Sequence, residues 1–575
     1  MPRILFLILL TGSLTTFAFT QEIRSPAPAA SPPVEEQTPA SKVDQLFAQW
    51  DKPDTPGCAL GVLRDRQIVY RRNYGMADLE LGVPISNQSV FNVGSVSKQF
   101  TAMSILMLAH QGKLSLDDKL TKYVPEAANV GAAITLRHLL QHTSGLRDHF
   151  EMLEMTGWRT TDVHTEQNIL DMVARQKSLN FQPGEEYSYS NTGYVLLAVI
   201  IKRVTGQTLR EFAAANIFIP LGMTMTNFYD DHRAVVRNHV KGYLTQPGGG
   251  FRRGESADDF LGSGGIHTTI EDLARWDQNF YDKKIGGKDL LEQMIVPAVL
   301  NDGEKLEYAY GLFVNSYKGL KTISHSGSRI GYRAELVRFP EQHLSVALMC
   351  NVRAISPDAL ARRVAEIYLS DQFPKALPSQ NSPAASEAGR VKVSAGELSS
   401  VAGLYWNPLT DNLRRIYVKD GKLFFFRAQG NESELAPLGA NRFLMLNVRN
   451  RIEIDFKTPR AGAPLQMLLS IDGGKPSPHE RVQEVSYTAE QLKEFAGEYY
   501  SEDLDATYSL IPQGLKVVLR AKKWADFTLS PRFTDSFADP ENFGSLTLTR
   551  DSRGRVNGFV VRSGKVKNLR FSKLK

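Results

Sequence analysis

Apolar runs, helical stretches and short alternating segments succeed one another along this chain in distinct regimes. Early on, Cys58-Ala59-Leu60-Gly61-Val62 is a near-continuous apolar run of strand length. Leu344-Ser345-Val346-Ala347-Leu348-Met349-Cys350 is another, and both have the pattern of buried strands. Gln99 to His110 is free of Pro and Gly and rich in helix formers, which predicts a helix, and a second helical run extends from Gly193 to Val204. Thr322-Ile323-Ser324-His325-Ser326-Gly327-Ser328 reads as a strand ending in small residues. All periodicity breaks at Pro374 to Pro383, which marks a boundary. Beyond it the strands are short and alternating, as at Leu423-Phe424-Phe425-Phe426 and Leu515-Lys516-Val517-Val518-Leu519. Gly turns follow at Ile471-Asp472-Gly473-Gly474 and Arg553-Gly554-Arg555-Val556. Here the sequence repeats itself: Leu398-Ser399-Ser400-Val401-Ala402-Gly403-Leu404-Tyr405-Trp406 aligns with Leu492-Lys493-Glu494-Phe495-Ala496-Gly497-Glu498-Tyr499-Tyr500. Two tandem units of about ninety residues are predicted, each an antiparallel barrel or sandwich.

Length and charge agree with a multidomain protein and narrow its partners. A chain of 575 residues holds several domains. A formal net charge of +6 is mild for that length, and no basic cluster or interleaved aromatic stripe supports nucleic-acid binding. Neither His-Glu-x-x-His nor paired Cys motifs occur, so no metal and no cofactor is expected. At the start, Met1-Pro2-Arg3 precedes an apolar run from Ile4 to Leu10 that continues weakly to Phe19, the pattern of a secretory signal peptide. Cleavage is expected after Ala18 or Thr20; the run is short and interrupted for a membrane span. Ser25 to Ser41 is rich in Pro and Ala and reads as a tether. A periplasmic or secreted location follows, in which the two cysteines, Cys58 and Cys350, are permitted to pair.

Chemistry concentrates at Ser95-Val96-Ser97-Lys98, where an extended segment gives way to the first helix. Residues three apart share a helix face, so Ser95 and Lys98 can touch. Serine needs an adjacent base to become a nucleophile, and lysine serves only if desolvation or the helix N-terminus lowers its pKa. Ser97 points off that face. The alternative is a serine N-cap followed by a surface lysine, and the pattern recurs at Ser572-Lys573-Leu574-Lys575 with no helix to organise it. Tyr189-Ser190-Asn191 precedes the second helix and offers a phenol to relay a proton and a carboxamide to hold a substrate amide. Its spacing also recurs, at Tyr405-Trp406-Asn407. The small residues after His325 would let a substrate lie along the strand edge.

In this order, Ser-x-x-Lys on a helix start, Tyr-x-Asn before a helix and His-x-Gly on a late strand resemble the serine β-lactamase and penicillin-binding-protein superfamily. The likeness is greatest to the class C β-lactamase-like branch, which also holds D-Ala-D-Ala carboxypeptidases, D-aminopeptidases and esterases. Leu139-Leu140-Gln141-His142-Thr143-Ser144-Gly145-Leu146, Pro220 to Thr226, and Gly262-Ser263-Gly264-Gly265 leading into Thr268 to Leu273 fit that branch too. The resemblance spans about residues 42 to 370.

The resemblance implies that Ser95 forms an acyl-enzyme and that Lys98 and Tyr189 share the proton work. It makes the backbone N–H groups of Ser95 and Ser328, after Gly327, the oxyanion hole, and has Asn191 orient the substrate amide. His325 stands where many members carry a lysine, so the substrate-binding set Asn191, His325, Gly327 and Ser328 lacks that permanent cation. Peptidase or esterase activity is therefore expected ahead of β-lactamase activity. A non-hydrolysing penicillin or peptide receptor is the rival from another class. His142 is expected to brace its loop, and Asp148 and His149 follow it toward the cleft rim. Arg329 and Arg333 are candidates to bind a carboxylate in place of the missing lysine. In the family fold the strands of Cys58 and Cys350 are antiparallel neighbours, which allows a bridge, although buried free thiols are the expectation.

The expected architecture is α+β. A signal peptide (1–20) and linker (21–41) precede a β-lactamase-like catalytic domain (42–372) of antiparallel sheet, flanking helices and an all-helical region. A second linker (373–394) and two small antiparallel β-barrel domains (395–484 and 485–575) follow. The function expected is that of an exported serine hydrolase acting on amides or esters, D-amino-acid peptides in particular. Small-molecule or peptide substrates are the expected partners.

Overall fold

Six strands make the central sheet: Cys58–Arg64 (β1), Gln67–Tyr74 (β2), Phe313–Tyr317 (β3), Leu320–Arg329 (β4), Tyr332–Phe339 (β5) and Leu344–Cys350 (β6). Their spatial order is β3-β4-β5-β6-β1-β2, with every neighbouring pair antiparallel. The computed structural model describes residues 38–374 and 391–574, apart from Thr160, Gln429, Arg449, Pro459, Ala461, Lys522 and Lys523. The signal-peptide expectation, most of the first linker and most of the second lie outside the described residues.

Strand periodicity sorts β1 between two cores. Leu60 and Val62 face one, with Val43 and Phe47 of helix Pro39–Phe47 (α1) and Val364 and Ala365 of helix Pro357–Tyr368. Ala59 and Leu63 face the other, beneath helices Lys98–His110 (α2), Asn191–Thr205 (α3) and Ile270–Asp282 (α4). At Gly61 a Cβ would stand 2.5 Å from Ile270 Cγ2, so the missing side chain is what lets α4 settle on β1. Arg338 of β5 and Asp277 of α4 tie sheet to helix, Nε to Oδ1 at 2.7 Å, with both side chains buried. α2 and α3 are enclosed along most of their length, as expected of helices apolar on every side.

Two expectations are corrected. α1 begins at Pro39, inside the stretch read as tether, because Thr38 accepts a hydrogen bond from Ser41 N and Pro39 occupies the first turn. Cys58 and Cys350 are joined in a disulfide rather than left as free thiols. They lie directly opposite one another where β1 pairs with β6, so no backbone movement is needed to join them.

Both C-terminal units are closed eight-stranded antiparallel barrels, running from Gly403–Trp406 to Ser477–Val482 and from Gly497–Ser501 to Val566–Lys573. The aligned repeat sets the same corner in each. A short helix is capped by Ser394 with Glu397 in one and by Thr488 with Gln491 in the other. The buried tyrosine then donates to the carbonyl four residues back, Tyr405 to Val401 and Tyr499 to Phe495, each at 2.7 Å. The second barrel shares its core with Met152, Leu153, Met155 and Met172 of the N-terminal domain. Among the described residues no helix is long and apolar enough to cross a membrane.

Candidate active site

A tight turn, Gly94–Ser97, ends the extended segment and presents Ser95 one turn before α2, of which Lys98 is the first residue. Gly94 adopts φ +50°, and a Cβ there would lie 2.7 Å from Ser328 N. A Cβ on Gly327 would lie 1.9 Å from Val93 O and 3.3 Å from Ser95 N. Glycine at both positions thus lets the edge of β4 press against the turn, bringing the Ser95 and Ser328 amides to one place. Ser97 is buried and structural: its hydroxyl donates to Gly94 O at 2.6 Å and accepts from Ile266 N at 3.2 Å.

Lys98 is fully buried, and its Nζ lies 3.1 Å from Ser95 Oγ, 2.9 Å from Asn191 Oδ1 and 2.7 Å from Ser263 O. Burial pushes its pKa well below that of ordinary lysine, with Asp148 opposing the shift and Lys565 adding to it. Asn191 opens α3, and Asp148 accepts from its backbone N at 2.7 Å and its Nδ2 at 2.8 Å. Those donations fix the amide so that its oxygen faces Lys98. Asp148 also caps helix His149–Met155 through Phe150 N.

Tyr189 packs its ring 4.2 Å from that of His142 and 4.8 Å from Lys98 Nζ. Desolvation raises its phenol well above the ordinary value, while a hydrogen bond with Ser95 works the other way. His142 does brace its loop: its Nδ1 accepts from Ser190 N at 3.1 Å, its carbonyl from Ser188 N at 2.9 Å, and its ring lies among tyrosines. His149 is buried, and desolvation lowers its pKa to about 4.

His325 is 2% exposed, with its ring behind Tyr189 rather than in the cleft wall. Its Nε2 lies 3.2 Å from Tyr308 Oη and its Nδ1 2.6 Å from Ser326 O. Desolvation, reinforced by Lys98, brings its pKa down to about 3, so it is neutral. Both candidate arginines already have partners. Arg329 is paired with Asp258 and stacked 4.5 Å over Phe150, and Arg333 donates to Tyr332 O. Ser95, Tyr189, Asn191 and Ser328 line a cleft of about 400 Å³, with Ser263 beside Lys98 and Lys565 of the second barrel on its rim. The duplicate motifs are elsewhere: Ser572 sits in the last barrel strand beside Tyr500, and Tyr405 is barrel core. Asp231, His232 and Asp259 bring ligand atoms within 4.8 Å of one another, with His232 Nδ1 already 2.9 Å from Asp259 Oδ1.

Sequence reasoning missed the work of Asp148, the carbonyl of Ser263, the phenol of Tyr308 and the presence of Lys565. Of these, Ser263 was signalled by its glycine-rich stretch; the others carry no local pattern.

A family profile described as Beta-lactamase matches residues 43–413. Penicillin-binding protein 4* of Bacillus subtilis (strain 168) is 33% identical over 302 residues, covering 49% of this chain and 65% of the relative. A D-aminopeptidase of Cereibacter sphaeroides (strain ATCC 17029 / ATH 2.4.9) is 28% identical over 320 residues, covering 56% and 61%. The chain thus spans less than two thirds of the length of these curated relatives. The solved octameric penicillin-binding-protein homologue from Pyrococcus abyssi shares the fold, with a TM-score of 0.52 at 22% identity over 77% of this chain and all of that one.

Proposed function

The chain belongs to the Beta-lactamase family, and from that premise we propose that it is an exported serine hydrolase that acylates Ser95. The observation that carries this reading is the environment of Lys98 Nζ. A neutral amine has two N–H donors and one lone pair. Lys98 Nζ faces three oxygens, those of Asn191, Ser263 and Ser95; when it is deprotonated, the two carbonyls hold its remaining N–H groups and its lone pair is left for the Ser95 hydroxyl 3.1 Å away. Burial favours the neutral amine and the protonated Tyr189 phenol, which supports Lys98 as the acylation base.

Ser95 Oγ bonds to the substrate carbonyl carbon as its proton passes to Lys98. The oxyanion is held by the N–H groups of Ser95 and Ser328, each such donor contributing about 3 kcal/mol of transition-state stabilisation. As the C–N or C–O bond breaks, the proton returns to the leaving atom through the Tyr189 phenol. Water then attacks the acyl ester by the reverse relay and frees Ser95.

Substrates are amides or esters, peptides of D-amino acids foremost. The D-aminopeptidase relative favours that class, and the neutral His325 argues against recognition of a penicillin carboxylate at the late strand. Export is favoured by the N-terminal charge and apolar pattern and by the disulfide. Purified protein and its Ser95→Ala variant should be compared on D-Ala and L-Ala p-nitroanilides, p-nitrophenyl butyrate and nitrocefin. Turnover of the D-anilide or ester is expected to fall at least about a thousandfold in the variant. Activity that survives Ser95→Ala would sink the mechanism, and nitrocefin as much the fastest substrate would sink the ranking.

A further inference from the structure

Among the described residues, the second barrel delivers one charged side chain, that of Lys565, to the Ser95 cleft. The turn between its strands Val556–Ser563 and Val566–Lys573 carries Gly564 and Lys565. Its backbone is fixed from both sides: Lys565 N donates to Glu151 Oε2 at 2.7 Å, and Lys565 O accepts from Asn180 Nδ2 at 2.7 Å. Gly564, at φ +53°, lies so near Glu151 that a Cβ would stand 3.1 Å from its carboxylate. Only the lysine side chain remains open to the cleft.

Lys565 Nζ sits 5.3 Å from the Tyr189 ring centroid, 3.9 Å from Asp148 Oδ2 and 3.8 Å from Glu151 Oε1. Both carboxylates lie beyond hydrogen-bond reach. Asp148 is buried and already accepts from Asn191 and Phe150. Burial pushes Glu151 up to about 7, so near neutrality it carries only part of a charge. The carboxylates lining the cleft each face an arginine: Asp258 pairs with Arg329, Asp231 with Arg233 at 3.1 Å, and Glu255 with Arg253 at 3.4 Å. Among the described lining residues, Arg329 is held by close contacts to Asp258, whereas Lys565 makes only the two longer ion pairs to Asp148 and Glu151, and its side chain remains 41% exposed.

We propose that Lys565 selects acyl donors bearing a carboxylate on the part of the substrate that lies against Tyr189 and Asn191, and disfavours a free ammonium there. This deepens the acyl-enzyme reading and rests on it. An N-succinyl-D-alanyl amide, or a residue with an acidic side chain in that position, is the class of substrate that fits. Recognition is electrostatic, so the preference weakens with salt.

The test uses the full chain with Lys565→Gln, Lys565→Glu and Lys565→Arg on D-Ala p-nitroanilide and its N-acetyl and N-succinyl derivatives. Native protein is expected to prefer N-succinyl to N-acetyl in kcat/KM. That ratio should fall about tenfold in Lys565→Gln, equivalent to ~1.4 kcal/mol. Lys565→Arg should restore it, and Lys565→Glu should favour the free amine. Binding of N-succinyl-D-alanine amide to Ser95→Ala protein, by calorimetry, reads the same selection without catalysis. It should weaken about tenfold when Lys565→Gln is added. An unchanged ratio and unchanged binding, or equal losses on all three substrates, would overturn the proposal. Absence of turnover with Lys565-dependent binding retained would overturn the acyl-enzyme reading instead.

Discussion

Arg147 Nη1 and Asp503 Oδ2 meet at 2.7 Å in a buried ion pair that joins the loop preceding Asp148 to the second barrel. The guanidinium is saturated, with Ser178 O, Ser178 Oγ, Lys567 O and Asn568 O as its remaining acceptors. A buried pair of this kind adds little over an apolar substitute, but removing one partner strands the other without water. Asp503→Ala and Arg147→Ala are each expected to destabilise the protein by about 3–5 kcal/mol. The double variant should lose less than the sum. Urea unfolding of all four proteins checks this, and additive losses would contradict a coupled pair.

Asp148 sits next to Arg147 in sequence and orients Asn191 by two hydrogen bonds. Asp148→Ala frees the Asn191 amide to rotate, so Lys98 loses its carbonyl partner and the lone pair loses its direction. A fall of about 10–100-fold in kcat/KM is expected, the size associated with misplacing a reacting group by about 1 Å. Intact folding with unchanged kinetics would remove Asp148 from the positioning role.

With Lys98 lowered below the ordinary lysine value, the base becomes competent as pH rises through that lowered pKa. kcat/KM should therefore climb from acid pH and reach its plateau well short of pH 10.5. A pH–rate profile still rising at pH 10 would mean that Lys98 is an ordinary exposed amine.

Stability should fall in acid for a related reason. His149 and His325 titrate at about 4 and about 3 in the folded protein, against 6.5 unfolded. Between those values the unfolded chain binds protons that the folded one does not. Their contribution is thus complete above 6.5 and lost as pH falls, at about 1.4 kcal/mol per pH unit for each ring. Urea midpoints measured from pH 7 to pH 4.5 should show the decline, and His149→Phe should make it shallower.

The Cys58–Cys350 bridge closes a long loop, with 292 residues separating its ends in sequence. Its loss is expected to cost about 2–5 kcal/mol. Dithiothreitol should lower the melting temperature of the native protein to that of a Cys58→Ala, Cys350→Ala variant and leave the variant unmoved.

The sequence made the frame legible where local pattern and topology coincide. Apolar runs at 58–62 and 344–350 placed two central strands, and the repeat at 398 and 492 placed two barrels, because each arises from neighbours in the chain. Ser95, Lys98, Tyr189 and Asn191 were legible by spacing and order. What escaped depends on approach between remote segments. Asp148 and Asn191 are 43 positions apart, and Lys565 faces Glu151 across 414. No periodicity records such distances. His325 shows the opposite case, since its motif is plain while burial and Tyr308 decide which way its ring faces.

The hairpin of the second barrel has a temporal meaning as well. Ser95 precedes both barrels in the chain, so its turn and α2 are synthesised before the hairpin carrying Lys565 can join the cleft. A product truncated anywhere before residue 565 would hold the nucleophile without its rim and leave Arg147 without Asp503 or the strand carbonyls, depending on where it stops. The order of synthesis thus sets the order in which the two sides of the cleft can be assembled.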